Sequence, residues 1–287
     1  MYNAKLAGKN RYHLFDTEYD RNMRAHNDTL ERFQQALANQ EFVLHYQPKV
    51  NLRSGQVVGV EALIRWQHPE RGLLAPGEFL PGIEGHPISV ALGEWVLDTA
   101  LTQIQAWAEA GLHLVVSVNI SAHHLQQPDF VDRLTTRLAA HPRVPSACLE
   151  LEVLETTALD ELDAVADVIR ACAAMDIVFA LDDFGTGYSS LTYLKRLPAQ
   201  VLKIDQSFVR DMLEDPEDRA IVDGVLGLAR AFGRQAVAEG AETLAHCQLL
   251  LRIGCDLAQG YGIARPMPAD KIVTWVASWR PEPDWLS

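Results

Sequence analysis

Two adjacent aspartates follow an apolar run in the middle of the chain. The stretch reads FALDDFGTGYSSL, and Gly185 and Gly187 come almost directly after Asp182 and Asp183. Two neighbouring carboxylates at the end of a buried strand repel each other, and each loses its hydration. Bound cations would offset both costs. The pair therefore predicts a metal site, and the glycines predict a tight, mobile turn beside it.

Further polar side chains occupy alternate positions in other apolar runs, where they would face one side of a strand. Their carboxylates outnumber the two cations, Arg65 and Lys203. The candidate metal ligands all offer oxygen atoms, which favours Mg²⁺ or Mn²⁺ over Zn²⁺. Two such ions commonly hydrolyse phosphoesters, because they bind both the attacking water and the leaving oxygen. Besides the aspartate pair, the polar set is Gln47, Glu61, Arg65, Asn119, Glu150, Glu152, Lys203, Asp205, Glu239 and Gln259.

Simpler interpretations compete with this one. A single buried glutamate is more often part of a structural ion pair than a metal ligand, but several at matching strand ends reverse that preference. His123 and His124 are expected to have a surface or capping role, because adjacent histidines point in different directions. The glycines after the aspartate pair do not form a dinucleotide-binding fingerprint, since Ser190 stands where the third glycine would fall.

Eight short apolar runs, alternating with stretches of helical spacing, would position these side chains. Such alternation predicts parallel strands joined by helices, and eight of them in about 250 residues predict an α/β fold, a (β/α)8 TIM-type barrel. An open doubly wound sheet is the alternative. The turn at Ser54 and Gly55 is short enough for a hairpin, so we expect an antiparallel first strand. The runs begin at Phe42, Val57, His113, Cys148, Ile177, Val201, Arg234 and Cys255.

The helical segments carry their own signals. Asp215 is placed to cap a helix that has Pro216 at its first position, and Thr157 with Asp160 resembles a capping box. Apolar residues recur at helical spacing in two of these segments. The predicted buried stripes are Leu97, Leu101, Ile104 and Ala108 in the first segment, and Ile221, Val225, Leu228 and Phe232 in the second.

Composition excludes several classes of protein. The 287 residues are 48% hydrophobic and 22% charged, as in a globular protein with a large core. A net charge of -13 argues against binding of DNA or RNA duplexes, because that mode of binding needs a basic surface. The four cysteines form no CxxC pair, and the sequence has no apolar run of membrane-spanning length and no signal peptide. We expect a cytoplasmic location, although an upstream part could be anchored in a membrane.

Seven motifs, in order from about Phe33 to Met267, carry a resemblance to a known family. They are VEALIRW, VNIS, LEVLE, DDFGTGYSSL, LKIDQSFV, AEGAET and QGYGIARPM. Together they resemble the EAL-domain cyclic di-GMP phosphodiesterases. The resemblance implies a modified barrel with an antiparallel first strand, and hydrolysis of cyclic di-GMP to linear 5'-pGpG with two Mg²⁺ or Mn²⁺ ions. One residue departs from the family pattern, because Leu154 stands where the family usually has threonine.

The resemblance also implies a role for each matching residue. Glu61, Asn119, Glu152 and Asp182 would bind one metal ion, and Asp182, Asp183 and Glu239 would bind the other. Lys203, Glu239 and Gln259 would be catalytic, with Lys203 orienting or activating the attacking water. Substrate would contact Gln47, Arg65, Lys203, Gln259 and Pro266. Glu155 would steady the loop after the aspartate pair, with Glu242 and Asp205 supporting the rim.

The amino-terminal stretch MYNAKLAGKNRYHLFD resembles the end of a GGDEF domain. The expected organisation is therefore a GGDEF-like remnant at 1–17, an interdomain helix at 18–29 and the barrel at 30–287. The resemblance implies fusion to upstream GGDEF or sensory domains, and a homodimer. Two other functions stay open at this point, namely a receptor that binds cyclic di-GMP without cleaving it and a barrel glycosidase that needs no metal.

Overall fold

A closed ring of eight strands forms the centre of the protein. The computed structural model describes residues 17–156, 162–187, 191–281 and 285. Around the ring the strand order is β1-β9-β8-β7-β6-β5-β4-β2, and β2 returns to β1. The strands in the described part are Phe42–Asn51 (β1), Gln56–His68 (β2), Gly72–Leu74 (β3), Val115–Asn119 (β4), Leu149–Leu154 (β5), Val178–Phe184 (β6), Val201–Ile204 (β7), Gln235–Ala238 (β8), Leu257–Ala258 (β9) and Met267–Pro268 (β10).

The first strand runs against its neighbours, as predicted. Strands β1 and β2 form a hairpin in which Gln47 pairs with Glu61 and Asn51 with Gln56. β1 is also antiparallel to β9, whereas the six remaining pairings of the ring, from β2 through β9, are parallel. Along β1, later residues therefore lie deeper in the barrel, whereas along the other strands later residues lie nearer the rim. Two short strands are additional to the predicted set of eight. Strand β3 pairs with β2, and strand β10 pairs with β1.

Helices follow most of the strands and cover the outside of the ring. In the described residues they are Thr17–Ala38 (α1), Ile88–Glu109 (α2), Ala122–Leu125 (α3), Phe130–Ala140 (α4), Leu162–Ala173 (α5), Leu191–Arg196 (α6), Gln206–Asp211 (α7), Pro216–Ala231 (α8), Leu244–Ile253 (α9) and Ala269–Ser278 (α10). Short 3-10 turns lie at Pro76–Glu78, Leu80–Gly82 and Ser146–Cys148. None of the described helices combines the length and apolar character that a membrane span requires.

Two apolar clusters of very different size hold the barrel. The larger one fills the space between the strands and the surrounding helices, and it includes Leu97, Leu101 and Ile104 of the predicted α2 stripe. The smaller one, built on Ala180 and Val201, lies inside the barrel. Alternation along each strand places Asp182 and Lys203 on the same inner face as Ala180 and Val201, two residues nearer the rim. The lumen is thus apolar on part of its floor and polar above.

Two sequence expectations about helices were wrong in detail. On α8, Val225 is buried as predicted, but Ile221 is 37% exposed, and Val222 and Leu226, which were not predicted, are buried. His124 is buried and its ring bonds to Glu94 at 2.9 Å, instead of having a surface or capping role. Ser121 provides the cap of α3. The predicted capping box at Thr157 lies outside the described residues, as does the GGDEF-like stretch at 1–16.

Candidate active site

The ammonium group of Lys203 lies at the centre of the polar set. Its Nζ is 2.6 Å from Glu152, 2.7 Å from Glu239, 3.0 Å from Asp182 and 3.7 Å from Glu61. The lysine side chain is 1% exposed. Burial lowers the pKa of Lys203, but the surrounding carboxylates outweigh burial and raise that pKa well above its ordinary value. Four strands thus place acids around one protonated lysine.

A chain of amides holds Glu61 on the opposite side of the ring. One carboxylate oxygen accepts a hydrogen bond from Asn119 at 2.8 Å, and the other accepts one from Gln259 at 2.6 Å. Gln259 also donates to Gln47 at 2.9 Å, and Gln47 donates to the carbonyl of Ala264. Burial raises the pKa of Glu61, but Lys203 and these amides lower it below its ordinary value. Glu61 is therefore fixed as an anion.

The adjacent aspartates are separated by a turn of the backbone. Asp183 has φ of 53°, in the left-handed region, and its side chain hydrogen-bonds Asp205, whereas the carboxylate of Asp182 is 3.0 Å from Lys203. Burial, followed by the charges of Asp182 and Asp205, raises the pKa of Asp183 to about 7. Asp205 also caps α7 by accepting from Ser207 at 2.9 Å.

An acidic triad of Asp182, Asp183 and Glu239 brings one oxygen of each carboxylate within 4.8 Å of the others. Burial raises the pKa of Glu239 to about 8, with the charge of Asp182 as a further cause. Burial also raises the pKa of Glu152 well above its ordinary value. Clustered carboxylates with raised pKa values are destabilised as anions, and they are suited to gain from a bound cation.

The donor set fits a hard divalent cation. Besides the carboxylates, Asn119 and Gln259 contribute amides, and the side-chain oxygen of Gln259 is buried without a hydrogen-bond partner in the described part of the chain. Oxygen donors of this kind suit Mg²⁺ or Mn²⁺. The predicted metal ligands lie on or directly after five strands of the ring, with Glu61 in the middle of β2 and Glu239 one residue beyond β8. The six are Glu61, Asn119, Glu152, Asp182, Asp183 and Glu239.

Glu155 contacts the start of the loop after β6. It follows β5, it is 1% exposed, and it accepts a hydrogen bond from the backbone N–H of Gly185 at 3.0 Å. Gly185 has φ of 106°, and an added Cβ would lie 3.1 Å from Phe208, so a side chain would be strained there. Leu154, where the family pattern has threonine, is 43% exposed.

A cavity of about 230 Å³ opens beside this acidic ring. It joins residues predicted to bind metal to residues predicted to bind substrate. The predicted residues along its wall are Gln47, Glu61, Arg65, Glu239, Glu242, Gln259 and Pro266. Two of the six predicted metal ligands, Glu61 and Glu239, thus share this cavity with four residues predicted to contact substrate.

Sequence reasoning missed four residues in, beside or beneath this site. Tyr261 and Gln206 line the cavity, and the guanidinium of Arg265 lies 4.4 Å from the centre of the Tyr261 ring. Lys49 is buried below the ring of acids, 2.6 Å from Glu150. Lys49 could have been found, because it stands two positions after Gln47 and therefore faces the same way.

Comparison with known proteins identifies the family and agrees with the fold. Residues 30–266 match the EAL domain family, so the chain belongs to the EAL domain family. It is 43% identical over 278 residues to the bifunctional diguanylate cyclase/cyclic di-GMP phosphodiesterase MucR of Pseudomonas aeruginosa, covering 96% of this chain and 40% of that protein. It is 38% identical over 248 residues to the cyclic di-GMP phosphodiesterase PA2567 of the same species, covering 86% of this chain and 42% of that protein.

Solved structures give the same result. The PaMucR phosphodiesterase in complex with c-di-GMP superposes with a TM-score of 0.82 at 43% identity, covering 85% of this chain and 99% of that one. The EAL enzyme Bd1971, bound to cAMP and cyclic di-GMP, has a TM-score of 0.82 at 31% identity, covering 88% of this chain and 70% of that one. The chain spans about two fifths of the length of the curated relatives described above.

Proposed function

We propose that this protein hydrolyses one phosphodiester bond of cyclic di-GMP, giving linear 5'-pGpG, and thereby lowers the level of this second messenger. The observation that carries the proposal is the ring of buried carboxylates around Lys203, beside a cavity with Arg65 and Pro266 on its wall. Membership of the EAL family and the names of its relatives support the substrate.

The carboxylates would hold two Mg²⁺ or Mn²⁺ ions. Glu61, Asn119, Glu152 and Asp182 would bind one ion, and Asp182, Asp183 and Glu239 the other. When bound, these ions would supply Lewis acidity toward the phosphate and a more acidic water. Asp182 as a shared ligand accounts for two adjacent aspartates at the end of one buried strand.

The chain's own residues would then position the reactants. Lys203, as an ammonium group, donates hydrogen bonds and would hold the attacking water in line with the phosphorus. A new bond would form between this water oxygen and phosphorus, and the bond to the 3' oxygen would break. The proton that the water loses balances the proton that the leaving 3' oxygen takes up. Glu239, which is 2.7 Å from the Lys203 ammonium, and Gln259, which lines the same cavity, would orient water and substrate. Arg65 would pair with a phosphate, and Gln47 and Pro266 would contact a guanine.

Residues away from the reacting atoms would keep the rim in place. Glu155 would hold the loop after Asp183 through the N–H of Gly185. Asp205 would hold Asp183 from the next strand, and Glu242 would support the cavity wall.

Product analysis tests the proposal directly. The purified chain is incubated with cyclic di-GMP in Mg²⁺, in Mn²⁺ and in EDTA, and the nucleotides are separated by chromatography. We expect 5'-pGpG only with metal, and a loss of at least about 100-fold in turnover for Lys203→Met and Glu61→Gln. The exposed positions Lys271→Met and Glu214→Gln are matched controls that should retain activity. Dinucleotide that binds and stays intact with metal present would indicate a receptor instead, and turnover that is unchanged in EDTA would exclude the two-metal mechanism.

We also propose that the chain is part of a longer cytoplasmic signalling protein and acts as a homodimer, with an upstream GGDEF or sensory domain and an interdomain helix at 18–29. The share of its relatives' length that it spans, and the bifunctional name of MucR, support the fusion. Light scattering of the purified chain tests the dimer, since a monomeric mass at micromolar concentration would contradict it.

A further inference from the structure

The layer of side chains directly beneath the acidic ring differs between the two halves of the barrel. Each inner-face residue at the rim has another inner-face residue two positions deeper along its strand. Beneath Asp182, Lys203, Glu239 and Gln259 these deeper residues are Ala180, Val201, Val237 and Leu257, which form the small apolar cluster of the lumen. Aliphatic side chains are the ordinary filling of such barrels.

The other half of this layer is polar, although it is equally buried. Beneath Asn119 and Glu152 lie Ser117, which is 0% exposed, and Glu150, which is 7% exposed. The antiparallel direction of β1 brings Lys49 into the same layer, two positions after Gln47. We call Lys49, Ser117 and Glu150 the lower polar layer.

The lower polar layer is a closed set of contacts. The Lys49 ammonium is 2.6 Å from a carboxylate oxygen of Glu150 and donates to the hydroxyl of Ser117, which in turn donates to Glu150. Burying an ion pair is costly, and apolar residues of similar volume are often as good for stability. Stability alone therefore does not explain why this half of the lumen is not filled with aliphatic side chains as the other half is.

Lys49 also faces upward to a predicted metal ligand. Its Nζ lies 3.7 Å from the Oε1 atom of Glu152, which is fully buried and has no hydrogen-bond partner among the described residues. The other oxygen, Oε2, is 2.6 Å from Lys203. The carboxylate of Glu152 is thus held between two ammonium groups, one on each oxygen.

We propose that Lys49 is a positioning residue, which fixes the carboxylate of Glu152 for metal binding from the layer below. This inference rests on the proposed function, because it assigns Glu152 to a metal ion. Glu150 and Ser117 hold the ammonium group in place, and Lys49 limits the directions that the Glu152 carboxylate can take. Partners behind a ligand commonly change metal affinity by about 10–100-fold when they are removed.

A charge-neutral double variant separates positioning from simple ion pairing. Lys49→Met combined with Glu150→Gln removes one charge of each sign with little change of shape, so no buried charge of the pair is left alone. A second version, Lys49→Gln with Glu150→Gln, keeps hydrogen-bonding groups in the layer. The matched control is Lys271→Met with Asp270→Asn, which removes an exposed ion pair of α10. Mn²⁺ affinity is measured from the EPR signal of unbound Mn²⁺, and folding from the urea midpoint.

We expect a Kd for Mn²⁺ about tenfold or more above wild type in the folded double variants, and an unchanged Kd in the control. An equal or tighter Kd in a double variant with a wild-type urea midpoint overturns the positioning role. If neither double variant folds, the layer serves the barrel itself and the proposal is overturned as well. If the wild-type protein binds no Mn²⁺, both the two-metal function and this inference are wrong. If wild type binds Mn²⁺ and the folded double variants bind it with the same Kd, only this inference is wrong.

Discussion

Each member of the adjacent aspartate pair is accommodated differently. Asp182 is 3.0 Å from the ammonium of Lys203. Asp183 turns away through a left-handed backbone, which costs a non-glycine residue about 1–3 kcal/mol, and it shares a hydrogen bond with Asp205. The pKa of Asp183 is raised to about 7, so the protein's own groups only partly stabilise a negative charge on this second aspartate. Strain and a raised pKa at one residue are typical of a functional site.

The pH dependence of stability follows from these raised pKa values. The pKa of Asp183 is raised from 3.8 to about 7 and that of Glu239 from 4.5 to about 8. The folded protein therefore binds more protons than the unfolded chain between these limits, and the stability contributed by these protons is lost as pH rises. In EDTA, the urea midpoint of wild type should fall relative to that of Asp183→Asn as the pH rises from about 4 to about 7, the unfolded and folded pKa values of Asp183.

Comparing wild type with Asp183→Asn cancels the contributions of histidines and other groups that titrate in the same pH range in both proteins. Glu84→Gln, at an exposed position, serves as the control and should follow wild type at every pH. A difference between wild type and Asp183→Asn that does not vary with pH would contradict the raised pKa of Asp183.

Most residues of the site were predictable from sequence, because strands alternate strictly and active sites lie at strand ends. Glu61, Glu152 and Lys203 are brought together as that pattern requires. Lys49 was missed, since a lysine near the end of a strand resembles a solvated side chain until the direction of that strand is known. His124 was missed because its partner, Glu94, lies on a different helix.

Among the secondary-structure elements, the strands were more predictable than the faces of the helices. All eight predicted runs contain a strand of the ring. On α8, however, the apolar residues cover more than half of the helix surface, so sequence spacing alone does not decide which line of them packs inward. Contact with the barrel selects the line through Val222 and Leu226, leaving Ile221 outside. Tertiary packing thus fixes the rotation of a helix whose ends the sequence already marks.

The amino-terminal end of α8 offers a test of such an end signal. Asp215 accepts a hydrogen bond from the N–H of Glu217 at 2.8 Å, and Pro216 occupies the first turn. Asp215→Ala should lower the free energy of unfolding by about 1 kcal/mol, because an N–H of the first turn loses its partner. Asp223→Ala, at an exposed position in the same helix, is the control and should not be destabilising. Urea denaturation measures both, and equal midpoints would show that the cap contributes nothing.

The loop after β6 provides a second test at this scale. Glu155→Ala removes the buried acceptor of the Gly185 N–H, so local opening of the loop should become easier. Hydrogen exchange at residues 184–187 should accelerate about tenfold, which corresponds to about 1.4 kcal/mol of local stability. Turnover should fall while the urea midpoint changes little. Glu214→Ala, on the surface, is the control. Unchanged exchange at Gly185 would remove Glu155 from its proposed role as the anchor.

At the scale of the whole molecule, one reversed strand changes what the barrel contains. Because β1 runs down into the lumen while its neighbours run up, Gln47 reaches the rim layer and Lys49 the layer beneath it. Closing the ring through β1 also pairs the strands that would otherwise be sheet edges. The short hairpin turn predicted this reversal from the sequence. The depth that each β1 side chain reaches, however, depends on the register of all eight strands.

Metal binding should therefore stabilise the barrel as a whole, since the proposed ligands come from five of its strands. An ion that binds only the folded protein adds about 2.7 kcal/mol to the free energy of unfolding at 100 times its Kd. Mn²⁺ at that excess should raise the urea midpoint of wild type, and EDTA should reverse the change. Asp182→Asn should lose most of this gain, because Asp182 is the proposed shared ligand. Asp256→Asn, in an exposed ion pair with Arg53, should keep the full gain and controls for surface charge. An equal Mn²⁺ effect in Asp182→Asn and wild type would place the ion outside the acidic triad of Asp182, Asp183 and Glu239, and the two-metal assignment would then be wrong at its central residue.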